Sequence, residues 1–477
     1  MRQPYFLAVL LLILVKVAIV VSLGPAAIIG DARGYWDLSS SVIDGDVLLL
    51  GELIAFRTPV YPWFLAFSRW VTPAGLSPLL LIVSIQAMLY VGTVYLAGVF
   101  AQQVSRRPSA RVFTTLALLP ALSAVTYVGF LVTETLFTFL LMLNLVCMAA
   151  YANDSGPKQA VWVGLTFGLT LLTRPIIVLL WVPHACYILL NHFSRSSPTH
   201  GSIGASVSLR RRGLHALLAA AIVVSLCMPW LARNHRLFGE YFLTEFLGRN
   251  IWIVTFQDGS GAGLPMPTTP SAVEICNRVS SVTARDWREA NWQHTWTVSK
   301  CLTDSGLSDP EADRLMKAVA IDAMKGDLSV VAFKTVRRCI NFWRCPSTNL
   351  PLPAPGRNDF ASYPRTWANQ NAIVNELAGL GFRFRVSQSV AVNTIVMLFL
   401  CGASVVLIWH RPTRNAGLWI VSMLAYFSLI TGIVEIPDYR YRMVLEPLSA
   451  VVIGSALSIC WAKYQTPDTN LHPELST

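Results

Sequence analysis

The sequence predicts a mainly α, polytopic membrane helical bundle of about ten spans, with an extracytoplasmic soluble domain in its C-terminal half. Three observations carry this expectation. The chain of 477 residues is 54% hydrophobic yet only 13% charged, where soluble proteins carry roughly a quarter charged residues. Apolar runs near the length needed to cross a bilayer as a helix recur along it. Between residues 233 and 385 the composition changes abruptly to a mixture rich in Asp, Glu, Lys, Arg and Pro.

Taken in order, the expected spans are 5–29, 78–101, 110–131, 132–151, 159–173, 175–192, 214–232, 386–409, 416–434 and 443–461. The first run is too long for the apolar region of a signal peptide and lacks a small-residue cleavage site before the polar loop, so it reads as a retained helix. The fifth and sixth are short and read as a broken or re-entrant pair around Pro175. The expected units are an N-terminal membrane module, 1–232, with an outward loop at 30–77; the extracytoplasmic domain, 233–385; C-terminal membrane helices, 386–461; and a cytoplasmic tail, 462–477.

Charge counting orients these spans. Arg106, Arg107, Arg111, Lys158, Arg195, Arg210 to Arg212, Arg411 and Arg414 all fall on one side, which the positive-inside rule makes the cytoplasm. The net charge of +11 is thereby accounted for by topology, and no basic-aromatic groove for nucleic acid is present. The Ser/Gly-rich basic loop at 192–213 reads as a cytoplasmic linker. Four of the nine cysteines, Cys276, Cys301, Cys339 and Cys345, lie in the outward domain, where two disulfides and unpaired buried thiols are both open. None of the eight histidines stands in a zinc-spaced pattern.

A transporter is expected to concentrate its unusual polar residues near mid-membrane. Here they gather at one boundary. Asp31 follows the first span, in GDARGYWDLSS, with Asp37 as a second carboxylate. Arg57 opens the amphipathic stretch FRTPVYPWFLAF, Glu134 heads the fourth span, and Arg174 closes the fifth in LTRP. Arg233 and Arg236 follow the seventh, and EIPDYRYR brings Glu435, Asp438, Arg440 and Arg442 before the last. Arginines on the side that topology disfavours need a local reason. A phosphate supplies one, because the guanidinium fork matches phosphate oxygens. Snorkelling or carboxylate pairing is the alternative for any single one of them. Tyr35, Trp36, Tyr61 and Trp63 read either as aromatic-belt anchors or as site-lining residues.

These residues resemble a family. Asp31-x-x-x-Tyr35, Arg57-Thr58-Pro59-x-Tyr61-Pro62, Glu134, Leu172-Thr173-Arg174-Pro175, Pro229-Trp230-x-x-Arg233-Asn234 and Arg440-Tyr441-Arg442 occur in the order of the bacterial glycosyltransferase family 39 pattern. That family belongs to the C-type glycosyltransferases, relatives of protein O-mannosyltransferases and the lipid A aminoarabinose transferase. The resemblance covers residues 1–250 and 386–461. Many relatives have a second acidic residue where this chain has Ala32, and glycine where it has Val60. The first departure weakens any case for a metal at that point.

The resemblance implies inverting transfer of a sugar from a polyprenyl-phosphate donor to a lipid, glycan or protein acceptor, in the inner (plasma) membrane with the active site extracytoplasmic. It implies Asp31 as general base, with Glu134 orienting the acceptor, tuning Asp31 or binding a cation. Arg57, Arg174, Arg233, Arg440 and Arg442 are the expected donor-phosphate residues, and Tyr35 and Tyr61 the expected sugar- or prenyl-lining residues. It fixes no cofactor and no metal site is assigned, although a divalent cation is compatible. The expected partners are the donor, the acceptor and membrane lipids, with no nucleic acid. A flippase for lipid-linked sugars, or a degenerate envelope component, is the competing reading.

Overall fold

The computed structural model describes the chain except for residues 1–2, 23–27, 29, 122–123, 126, 196–208, 258–263, 345–391, 437–438 and 466–477. The linker at 196–208, Asp438, Cys345, the end of the outward domain and most of the cytoplasmic tail, all singled out above, therefore lie outside the described residues. Within the described residues the fold is helical, and no strand is present.

The chain enters through α1 (Gln3–Ser22). α2 (Asp31–Ile43) and α3 (Val60–Trp70) are short amphipathic helices that pack on each other. α4 (Pro78–Ser105) is long and apolar, α5 (Ser109–Leu118) is short, and α6 (Glu134–Asn153) is again apolar. α7 (Pro157–Leu171), α8 (Trp181–Arg195) and α9 (Leu209–Phe238) complete the N-terminal half. α10 (Leu247–Trp252), α11 (Pro270–Thr283), α12 (Thr295–Asp304), α13 (Asp309–Gly326) and α14 (Leu328–Arg344) follow. The chain closes with α15 (Val392–Trp409), α16 (Arg414–Val434), the single turn α17 (Tyr439–Arg442) and α18 (Glu446–Gln465).

Among the described residues, six helices are long and apolar enough to cross a membrane: α4, α6, α9, α15, α16 with the turn before it, and α17 run together with α18. Shorter apolar helices occupy Tyr5–Ile19 and Pro175–Asn191. The polytopic helical bundle is as expected, and the described helices depart from the expected spans at particular points. The expected crossing at 110–131 is not one helix, because α5 stops at Leu118, two residues before Pro120, which lacks an N–H and cannot continue the ladder. The carbonyls of Leu118 and Ala121 at this break accept from Lys16 Nζ at 3.1 and 2.6 Å. That contact explains a lysine in the otherwise apolar α1. The pair around Pro175 does break, with one short turn at Pro175–Ile177 between α7 and α8.

One apolar core joins α1, α4, α5, α6, α16 and α18. Inside it His184 ties three helices together. Trp419 Nε1 donates to His184 Nδ1 at 3.3 Å, which leaves Nε2 as the donor to Asn144 Oδ1 at 3.0 Å. The segment α10 to α13 buries a second core around Trp252, Ile275, Val298, Leu302 and Met316. α14 packs instead on α16, with Arg338 Nε donating to the Gly432 carbonyl at 2.7 Å. Cys276, Cys301 and Cys339 are free thiols.

Candidate active site

Five sequence-distant segments meet at one end of the bundle, and local rules explain how each presents its side chain. Gly30 precedes α2 at φ 56°, ψ −125°, a backbone region open to glycine and strained for other residues. This turn makes Asp31 the first residue of α2. Glu134 likewise begins α6, where the partial positive charge of a helix N-terminus favours a carboxylate. Arg174 lies between α7 and Pro175 and is extended, at φ −150°, ψ 113°, as a residue before proline prefers. The Thr58 hydroxyl donates to the Thr173 carbonyl at 3.1 Å, and the Val60 N–H to Leu172 at 3.4 Å. These two bonds hold the segments bearing Arg57 and Arg174 side by side.

The charged groups form an alternating chain. Arg57 Nη2 donates to Asp31 Oδ1 at 3.2 Å and Nη1 to the Asp31 carbonyl at 3.3 Å. Arg440 Nη1 donates to Asp31 Oδ2 at 2.6 Å, and its Nε donates to Glu134 Oε1. Arg174 Nη1 donates to the same Glu134 oxygen at 3.0 Å. Three guanidinium groups thus face two carboxylates. The Glu134 side chain is fully buried, whereas that of Asp31 is 43% exposed. Burial acts to raise the Asp31 pKa. Arg440, followed by Arg57 and Arg174, outweighs it and holds the carboxyl below its ordinary value.

The two tyrosines have separate places. The Arg57 guanidinium stacks 4.1 Å from the centre of the Tyr35 ring. The Tyr61 ring meets Tyr35 edge-on at 5.0 Å but is itself fully buried. Its hydroxyl donates to Gln86 Oε1 at 3.1 Å, while Gln86 Nε2 donates to the Val128 and Phe130 carbonyls. Tyr61 therefore lies behind Tyr35, buried and held by Gln86. Asp37, the second candidate carboxylate, pairs with Arg33 at 3.6 Å on an exposed face of α2.

Two of the expected arginines are not brought to this cluster. Arg233 is buried, with all its donors engaged: Nε and Nη2 bond the Leu49 carbonyl, Nη2 also bonds Glu52, and Nη1 bonds Ile54 and Asn234 Oδ1. It shapes the loop that leads to Arg57. Arg442 points to the other side of α17, donating to Asn393 Oδ1 at 3.0 Å and the Trp343 carbonyl at 3.3 Å, with Glu446 3.7 Å away. Alternation along one helical turn puts Arg440 and Arg442 on different faces.

Other contributors went unread in the sequence. Gly34 lies under Arg57, so close that a Cβ there would stand 2.7 Å from Nη2. Asp309 begins α13, and its Oδ2 accepts from the Ala55 N–H at 2.9 Å, while Oδ1 accepts from the buried Arg249. Phe56 packs against Phe246 and Trp296. Side chains at the starts of α10, α12 and α13 thus grip the loop immediately before Arg57. Glu435, already among the boundary charges noted in the sequence, stands near Arg174 and Arg440, where burial pushes its carboxyl up to about 7 despite the Ile436 N–H and the Tyr441 hydroxyl. Among the described residues no group of three metal-ligating side chains occurs.

No family model and no curated protein matches the chain. Among solved structures it is similar to the archaeal oligosaccharyltransferase AglB from Archaeoglobus fulgidus, in complex with an inhibitory peptide and a dolichol-phosphate. The identity is 12%, the match covers 99% of this chain and 53% of that one, and the TM-score is 0.47. The Archaeoglobus fulgidus oligosaccharyltransferase in its apo form gives 12% identity, coverage of 97% and 51%, and a TM-score of 0.49. ArnT from Cupriavidus metallidurans bound to undecaprenyl phosphate gives 14% identity, coverage of 96% and 78%, and a TM-score of 0.36. The chain spans about half the length of the two oligosaccharyltransferase chains. These likenesses are distant, and the chemistry rests on the residues described above.

Proposed function

We propose that the chain is an inverting membrane glycosyltransferase. It moves a sugar from a polyprenyl-phosphate carrier to a lipid, glycan or protein acceptor at the extracytoplasmic face of the plasma membrane. The observation that supports this most is the alternating chain Arg57–Asp31–Arg440–Glu134–Arg174, with its one exposed carboxylate at Asp31.

The acceptor hydroxyl attacks the anomeric carbon while the bond from that carbon to the phosphate oxygen breaks. Its proton passes to Asp31, and the electron pair leaves with the polyprenyl phosphate. With Arg440, Arg57 and Arg174 holding its pKa down, Asp31 alone is a weak base. A donor phosphate that draws Arg57 and Arg440 onto its own oxygens removes that restraint, so Asp31 gains proton affinity when the substrate is in place. The same arginines then face the charge that develops on the leaving phosphate. Glu134, fully buried between Arg174 and Arg440, holds both cations in position. Tyr35, under Arg57, offers a ring face at the mouth of the site.

The test is to reconstitute the purified chain in proteoliposomes with a panel of polyprenyl-phosphate sugars and candidate acceptors. Release of polyprenyl phosphate coupled to a new glycoside supports the proposal. Movement of intact donor across the bilayer with no glycoside formed would replace it with the flippase reading.

A further inference from the structure

A second cluster of cations lies at the far end of the bundle. α6 runs from Glu134 to Asn153, twenty residues, so its ends are about 30 Å apart, which is close to the thickness of a bilayer's hydrocarbon core. At the Asn153 end, a cavity of about 380 Å³ opens between the close of α4 and the first turn of α5, lined by Val99, Gln102, Gln103, Arg106, Arg111 and Asn153. Two of its residues are cations, and no acidic side chain lines it.

Two polar atoms at this cavity are enclosed and have no hydrogen-bond partner among the described residues: the Nε of Arg111, a donor, and the Oε1 of Gln103, an acceptor. Buried polar groups are ordinarily paired, so a ligand offering both an acceptor and a donor matches them. The Arg111 guanidinium is steadied from the other side by the rings of Phe6 and Tyr95, at 4.8 and 5.4 Å. Arg106 sits in the left-handed region at φ 56°, capping α4. Tyr95 is 46% exposed, so the apolar surface beside the cavity meets lipid.

We infer that this cavity binds a phosphate oxyanion, presented by the headgroup of an anionic lipid in the leaflet opposite Asp31. Arg106 and Arg111 take the phosphate oxygens, and a headgroup hydroxyl donates to Gln103. The site is separate from the one proposed for sugar transfer and does not depend on that proposal.

The full chain in detergent, stripped of lipid, is titrated with phosphatidylglycerol, phosphatidylcholine or inorganic phosphate, with occupancy read by native mass spectrometry. Phosphatidylglycerol is expected to bind well above phosphatidylcholine. Arg106→Asn keeps a residue tolerated in the left-handed region and is expected to weaken phosphatidylglycerol about five-fold, and the Arg106→Asn/Arg111→Gln pair about thirty-fold. Arg111 packs on two rings, so the double variant also tests folding. Arg111→Lys, which keeps the charge, is expected to retain most of the binding. Equal phosphatidylglycerol occupancy in the parent chain and Arg106→Asn would overturn the site. Saturable binding of inorganic phosphate, lost in Arg106→Asn, with no preference for phosphatidylglycerol, would overturn the lipid as its carrier.

Discussion

Gly34 offers a perturbation that separates catalysis from stability. It lies within α2, and a Cβ added there would stand 2.7 Å from Arg57 Nη2 and 3.0 Å from Cζ. Arg57 cannot give way freely, because Asp31 Oδ1 and the Asp31 carbonyl hold it at 3.2 and 3.3 Å and the Tyr35 ring lies 4.1 Å beneath it. Gly34→Ala therefore displaces the guanidinium from Asp31. Replacing a helical glycine with alanine stabilises by about 1 kcal/mol. The displaced pair is partly exposed and costs about 1 kcal/mol, so the two nearly cancel and the melting temperature should stay within a few degrees. Catalysis is far less tolerant, since a displacement of about 1 Å in a positioning group can cost on the order of 100-fold. The assay is sugar transfer from a polyprenyl-phosphate donor by the purified variant, alongside a thermal melt. A folded Gly34→Ala protein with the parent's rate would refute the role given to Arg57.

Three further outcomes are expected. Arg233→Ala should destabilise the chain by about 3 kcal/mol, because the Leu49, Glu52 and Ile54 carbonyls lose their donors; Arg233→Lys should not restore the melting temperature, as one ammonium cannot span them. Asp309→Asn loosens the link from α13 to Ala55 and removes a charged partner of the buried Arg249, so it should lower transfer about ten-fold and also lower the melting temperature. Glu435 gives a pH signature. A raised carboxyl favours the folded chain while protonated, so its contribution is complete below the ordinary 4.5 and is lost as pH rises through about 7. Stability should fall by on the order of 1–3 kcal/mol across that window in the parent chain, and Glu435→Gln should flatten the loss in melts taken at successive pH values.

The membrane-bundle class was legible because apolar runs and charge sidedness are properties of the linear chain. So was much of the cluster: Asp31, Arg57, Glu134, Arg174 and Arg440 stood out as charges at one boundary, and the fold brings them within contact distance. Hydropathy could not show that α5 ends before Pro120 and borrows Lys16 to close its carbonyls, since a broken helix is as apolar as a whole one. Nor could it separate Arg440 from Arg442, two residues apart, because facing is set by the turn they share. Arg233 looked like its neighbours in sequence, and only the path of the loop at 49–54 shows where its donors go. Gly34 and Asp309 act through distant partners, Arg57 and Ala55, and a single sequence carries no mark of such pairs. Gln86 did leave a signal, an amide in the apolar first half of α4.

The central claim is that Asp31 takes the acceptor's proton while the arginines hold the donor. Asp31→Asn is nearly isosteric and keeps an oxygen that can accept from Arg57 or Arg440. Donor binding and single-turnover sugar transfer should be measured on the same preparation. The account predicts donor affinity within a few-fold of the parent chain and transfer lower by about 100- to 10,000-fold. Transfer at the parent's rate with donor binding intact would contradict it.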